Sequence, residues 1–174
     1  MKVLLICFAW LTVPLVLSAQ AIKPDTPVVF YVNNAGIQVK GVIADWELEL
    51  EFDAKKPEKS NIRGTAKVES METGIKLRDR HLQGKQYFDS QKFPLLYLNS
   101  KSIKEVGKNK FMGIFELQIK ENKREVQLPF TLSRQQKGTV FTGEFVINRL
   151  DYGLGEKSLV LADSVKVNIS FVHQ

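Results

Sequence analysis

The chain has 174 residues, with 25 Lys or Arg against 19 Asp or Glu, and a formal charge of +6. A single cysteine excludes an internal disulfide, and two histidines beside it argue against an ordinary zinc site, which draws three or four such ligands together. The basic residues are scattered through turns and strand faces instead of being clustered with aromatics, so the sequence lacks the footprint of a nucleic-acid binder.

The chain opens with Lys2, an uncharged apolar stretch from Val3 to Leu17, and Ala19-Gln20-Ala21, the small-x-small pattern of a signal peptidase site. Residues 1–21 therefore read as a signal peptide, and the protein as periplasmic or secreted. An apolar run of about 15 residues is short of the roughly 20 that span a bilayer, which favours cleavage over an uncleaved anchor. Cleavage near Ala21 removes Cys7, the only cysteine. It also removes Lys2, the leader's one charged residue, so the formal charge falls from +6 to +5. Residues 22–174 then form one cysteine-free domain. At roughly 150 residues it can be held by its core alone, since a domain of that size buries about two thirds of its unfolded surface. Weak attraction to an anionic membrane surface fits the residual charge.

From there on, alternation dominates. Val28, Phe30 and Val32 share one face of a first strand. Trp46, Leu48, Leu50 and Phe52 share one face of a second, with Glu47, Glu49 and Glu51 on the other. Ile62, Gly64, Ala66 and Val68 make a third, and Leu96 and Leu98 a fourth that starts after Pro94. Phe111 to Ile119, Val126 to Leu132, Phe141 to Ile147 and Val165 to Phe171 complete eight runs. Turn signals at residues 55–59, 106–110, 121–123 and 136–138 separate them, and residues 104–110 read as a turn only. Connections this short require antiparallel neighbours. The expectation is an all-β, eight-stranded antiparallel barrel or sandwich.

Ile75 to Gln86 is the one helical candidate, and Arg78 to Pro94 breaks the alternation as a short helix plus loop laid across one end of the strands. Small inward residues (Gly64, Ala66, Gly113 and Gly143) would leave volume inside, or merely fit a taper or bulge.

Chemistry is hard to find. No G-x-S-x-G elbow or strand-linked phosphate loop occurs. The Glu47-Glu49-Glu51 series is a solvated strand face, not a glycosidase pair. No catalytic residue, metal ligand or cofactor is expected.

Arg78-Asp79-Arg80-His81-Leu82, then Tyr87-Phe88-Asp89, then Lys92-Phe93-Pro94 resembles the signature of the YceI-like family of polyisoprenoid-binding proteins. Gly113 to Ile119 running into Arg124 to Leu128, and Phe145 to Arg149 running into Asp151 to Gly155, match the family in the same order, from about Val28 to Phe171. The resemblance implies a lipocalin-like barrel with a long apolar cavity and no enzymatic activity. The ligand would be an apolar lipid: a polyisoprenoid, an isoprenoid quinone or a similar chain.

The implied wall residues are the inward apolar ones: Phe30, Leu50, Phe52, Leu96, Phe115, Leu117, Phe130, Phe145 and Ile147, with Phe88 and Phe93 at the mouth. The same residues would equally make a filled core, leaving a surface-acting stress-protective or interaction protein as the alternative. His81 is either a mouth residue facing a ligand head group or a structural tie between the insertion and the strand ends, with Arg78, Asp79 and Arg80 in local ion pairs. Asn148, Arg149 and Asp151 pose the same choice, and Gly153 and Gly155 permit positive φ in a tight turn. Asn34 departs from the family, which often has histidine there, before a glycine such as Gly36. A homodimer is left open.

Overall fold

The computed structural model describes residues 21–174. The leader assigned to residues 1–21, with Cys7, lies outside the described residues except for Ala21. Eleven strands form one antiparallel sheet: β1 (Ala21–Ile22), β2 (Val28–Asn34), β3 (Ile37–Ile43), β4 (Trp46–Glu51), β5 (Asn61–Lys67), β6 (Met71–Glu72), β7 (Leu95–Gly107), β8 (Lys110–Ile119), β9 (Asn122–Gln135), β10 (Gly138–Asn148) and β11 (Leu161–His173). The order β1-β4-β5-β7-β8-β9-β10-β11-β2-β3-β6 is linear, so the sheet curls into an open half-barrel without a ladder joining its ends. The chain itself brings the ends together, since only Ala44 and Asp45 separate β3 from β4, and Trp46 Nε1 donates to Thr26 O, just before β2, at 2.7 Å.

The all-β, antiparallel reading stands, and eight strands becomes eleven. β1 and β6 are two-residue pairings with no sequence period. β3 is a full strand, hidden because Gly41 interrupts the inward face of Ile37, Val39 and Ile43, and because its hairpin with β2 turns on Ala35-Gly36. Both turn residues have positive φ, +50° and +78°, a geometry normally signalled by Asn-Gly. The turn assigned to residues 104–110 is mostly strand. β7 runs to Gly107 and only Lys108 and Asn109 lie outside the ladder, with bulges absorbing the mismatch against β8.

The alternation seen in sequence becomes the inside and outside of the sheet. In β4, Trp46 and Leu48 are buried and Leu50 half-buried, while Glu47, Glu49 and Glu51 are exposed. One end of the enclosed space is filled by rings. Phe52 meets Phe111, Phe130 and Phe141 edge-on at 5.2, 5.7 and 5.6 Å, Phe141 stacks on Phe171 at 4.8 Å, and Trp46 closes on Phe171 at 5.9 Å. Edge-on and offset pairs add to the burial they accompany.

At the corner between β3 and β4, Asp45 pairs with Lys67 at 2.7 Å and Lys23 at 2.9 Å. The hydrogen bond from Lys67, then that from Lys23, holds its carboxyl below the usual carboxylate range. A carboxyl depressed in the fold contributes stability at pH values above its ordinary range, and loses that contribution as pH falls through its folded value. Asp45→Asn should therefore lower the melting temperature slightly near neutral pH, and the difference from the parent should shrink in acid, below the ordinary carboxylate range. Melts at neutral and at acid pH check this, and a gap that widens in acid would contradict it.

Candidate functional site

The helix is α1 (Lys76–Gln83), within the stretch assigned to it, and residues 84–94 continue as turns until β7 begins. The insertion is held by its own short-range bonds. Asp79 Oδ1 accepts from Thr73 N at 2.8 Å and Thr73 Oγ1 at 2.5 Å, while Arg78 Nε donates to Thr73 Oγ1 at 2.7 Å and its terminal nitrogen to Thr73 O at 2.8 Å. These contacts replace the ion pairs expected within Arg78-Asp79-Arg80, because both side chains turn back to Thr73. The insertion docks through Gly155 N–H, which donates to Gln86 O at 2.8 Å. A Cβ on Gly155 would stand 2.9 Å from the Tyr87 ring, and the residue has φ +71°. Glycine there serves both the turn and the close approach of that ring.

Arg149 ties the neighbouring loop to β11. It is 3% exposed and donates to Ala162 O at 3.0 Å, Leu154 O at 2.8 Å, Leu161 O at 3.3 Å and Asp163 Oδ1 at 2.8 Å. The ladder between β11 and β2 is irregular between Leu161 and Val165, and Ala162 and Asp163 have no ladder partner in β2 or β10. A buried carbonyl without a partner is costly, and a planar guanidinium can reach several at once. Asn148 Oδ1 accepts from Leu150 N–H and opens the 3-10 turn at Arg149–Tyr152, and Gly153 closes it with φ +64°. Asp151 is exposed.

Under this cap lies an apolar cavity of about 220 Å³. Its walls take Phe30 from β2, Leu48 from β4, Gly64 and Ala66 from β5, Leu98 from β7, and Phe115 and Leu117 from β8. Leu82, Tyr87 and Phe88 of the insertion roof it, and Phe130, Phe141 and Phe171 of the aromatic cluster form its floor. A second cavity of about 380 Å³ adjoins it, sharing Phe30, Val32, Leu82, Tyr87 and Leu161, and is bordered by the polar Asn34, Thr73, Arg78 and His81.

Of the residues assigned from sequence, Phe30, Phe88, Leu96, Phe115, Leu117, Phe130, Phe145 and Ile147 line the first cavity. His81 borders the second and is exposed. Leu50, Phe52 and Phe93 line neither cavity. Phe52 is drawn into the aromatic cluster, Leu50 packs against the core beyond the cavity, and Phe93 sits at the loop's outer turn with Lys92 Nζ 4.9 Å over its ring. Tyr87, Leu82 and Arg149 belong to the site and were not assigned to it. Tyr87 and Leu82 lay in quoted motifs, yet nothing in the sequence said which side of the insertion faces in.

The small inward residues divide by function. A Cβ on Gly64 would meet nothing nearer than 3.8 Å, so Gly64 leaves space. A Cβ on Gly113 would lie 2.2 Å from the Phe115 ring, and one on Gly41 would lie 2.1 Å from the Phe30 ring. These glycines are seats for rings that lie flat on the sheet.

Nearby, Tyr152 is 1% exposed, and its hydroxyl has no partner among the described residues. Burial pushes the phenol up to about 12. An unpaired buried hydroxyl costs free energy, so Tyr152→Phe should be as stable as the parent or more stable by about 1 kcal/mol. A marked drop in melting temperature would mean that the hydroxyl is bonded after all.

Among the described residues, no group of three or more His, Cys, Asp or Glu is placed to hold a metal ion, and no helix is long and apolar enough to cross a membrane.

Comparison with known proteins agrees with this geometry. The chain is similar to a UPF0312 protein of Pseudomonas savastanoi pv. phaseolicola, 26% identical over 132 residues that cover 72% of this chain and 69% of the relative. It is also similar to a UPF0312 protein of Photorhabdus laumondii, 31% identical over 67 residues, 38% of this chain and 35% of that one. Its fold is that of BcnA from Burkholderia cenocepacia, with a TM-score of 0.81 at 23% identity over 85% of this chain and 96% of that one. A polyisoprenoid binding domain from Saccharophagus degradans implicated in plant cell wall breakdown shares it with a TM-score of 0.63 at 9% identity, over 85% and 94% of the two chains. The model of the YceI-like domain matches residues 21–173, and with that match the chain belongs to the YceI-like family.

Proposed function

We propose that this protein is a non-enzymatic carrier that holds a long apolar chain, a polyisoprenoid, an isoprenoid quinone or a similar lipid, in the space between the sheet and the insertion. The observation that carries this reading is the cavity itself. It is walled by apolar side chains from most of the strands, roofed by Leu82, Tyr87 and Phe88, and floored by stacked rings. An apolar tail seated there leaves water, and each buried methylene contributes about 0.8 kcal/mol, which gives tight binding without any catalytic group. Together the two adjoining spaces fall in the range of about 300–1,000 Å³ used by small-molecule sites. The family and the polyisoprenoid-binding neighbour support the same class of ligand. The protein would work in the periplasm or outside the cell, with a mature N-terminus near Ala21, which N-terminal sequencing of the exported protein tests.

Native mass spectrometry of the protein purified from its own host decides the carrier reading and reports subunit number at the same time. An adduct whose mass and fragmentation identify a long apolar chain is the expected result. A protein that is lipid-free as isolated and takes up no polyprenol in detergent would return the surface-acting reading.

A further inference from the structure

Apolar side chains that face solvent flank the second cavity, close in sequence to its lining residues or among them. Leu159 is fully exposed, and Ile37 is 70% and Val160 59% exposed. On the helix side of the same opening, Ile75 and Leu77 are each more than half exposed while also lining the cavity. These residues come from three separate segments, and the fold gathers them. Ala35 N–H donates to Val160 O at 2.7 Å, Asn34 pairs with both Leu161 and Ile37, and α1 carries Ile75 and Leu77 to the opposite lip.

Among the described residues, Leu159 belongs to neither the core cluster nor a cavity lining. Cations lie on the same or adjoining segments. Lys76, Arg80, Lys85 and Lys157 are exposed on the helix, its C-terminal turn and the loop before β11, against exposed Glu72 and Glu156.

We infer that this rim is a docking face for an anionic lipid bilayer, with Leu159, Val160, Ile37 and the helix leucine entering the interface while the lysines sit at phosphate level. Apolar side chains flanked by cations gain from both the buried area and the surface charge. The same charges oppose a second copy, because a two-fold contact through this rim would set like charges against like. The position also suits the cargo. A chain leaving the cavity by this opening passes from an apolar wall into an apolar layer without crossing water.

The inference rests on the carrier reading for its purpose, and its test is independent of it. Vesicles of phosphatidylglycerol and phosphatidylethanolamine, free of any isoprenoid, are sedimented with the full mature protein, while cavity loading is measured separately in detergent. The parent should partition onto these vesicles and far less onto phosphatidylcholine. Leu159→Ser should weaken partitioning about tenfold, since one exposed leucine supplies most of its transfer free energy. Lys157→Gln or Lys76→Gln should weaken it about fivefold each. Val106→Ser, at the β7–β8 hairpin on the far end of those strands, should change nothing.

Leu159 is fully exposed among the described residues, so its replacement does not endanger folding. The inference is overturned if the parent ignores anionic vesicles, or if Leu159→Ser binds them as the parent does. It is also overturned if sedimentation velocity shows a dimer that Leu159→Ser dissociates and that has no affinity for vesicles. A protein that loads polyprenol in detergent yet ignores vesicles would sink the docking face and leave the carrier standing.

Discussion

Gly64→Phe should fill the cavity and leave the fold standing. Gly64 lies in the middle of β5, opposite Leu48 of β4 and Leu98 of β7. A Cβ there meets Leu98 Cβ at 3.8 Å and Leu48 Cδ1 at 3.9 Å, which are ordinary contacts, and its backbone is not in the left-handed region. The added ring therefore goes where the space is, into the cavity of about 220 Å³. Glycine in a strand interior costs roughly 0.5–1 kcal/mol relative to alanine. Gly64→Val, which favours strand geometry and fills less, should thus melt higher than the parent. Gly64→Phe trades that gain against some overpacking, at about 1–3 kcal/mol, and still folds.

Lipid extracted from the purified variants, quantified by mass spectrometry, should be reduced in Gly64→Val and near zero in Gly64→Phe. Glu49→Gln, on the solvent face of β4, should keep the parent's load. A folded Gly64→Phe that retains its full lipid load would show that the ligand, if there is one, lies elsewhere. Gly113 gives the opposite result for the opposite reason. The Phe115 ring already occupies its Cβ position at 2.2 Å, so Gly113→Val should damage the fold itself.

Arg149→Met should be the most destabilising single change near the site, by about 3–5 kcal/mol, the usual cost of breaking a buried charged network. That is a large share of the roughly 5–15 kcal/mol that holds a domain together. The substitution keeps most of the side chain's bulk and strips the donors from three carbonyls, those of Leu154, Leu161 and Ala162. Asp163 is 37% exposed and recovers solvation, so it accounts for the smaller part. Arg149→Lys should rescue little, because one ammonium cannot reach four acceptors spread along an irregular strand. Urea unfolding with the m-value held as a check measures both variants. A loss under about 1 kcal/mol for Arg149→Met would mean that these bonds behave as surface pairs do.

How much of this was legible depended on whether a feature lives in period or in contact. Strands such as β4, β8 and β10 declare themselves, since one face is water and the other is core, and side chains two apart share a fate. The insertion was visible as the place where that rule stops. β3 was not, because a strand whose inward positions are partly replaced by a glycine under a ring loses its apolar mark at that position. Sequence could not divide wall from core: Phe52 and Phe115 alternate in the same way, and only the curl of the sheet sends one to the aromatic cluster and the other to the cavity. Gly64 and Gly113 make the same point. Both are small and inward, yet one leaves room and the other is filled by its neighbour two residues along. Arg149 stood in a quoted motif, but its role depends on an irregularity in a strand that begins twelve residues downstream, which no local pattern announces.

The ring cluster that fills one end has a consequence for traffic. On the carrier reading, a curled sheet plugged at one end by Phe52, Phe111, Phe130, Phe141 and Phe171 is a sheath with one door. A carried chain would then enter end first, stop against the rings, and leave by the way it came, last carbon in being first out. Collection and delivery then share one face of the molecule. Such a protein does not pass its cargo through itself from one side to the other. It travels to a source, turns, and presents the same lip to a recipient, so the rate of exchange is set by encounters at that lip and by how far the chain must slide.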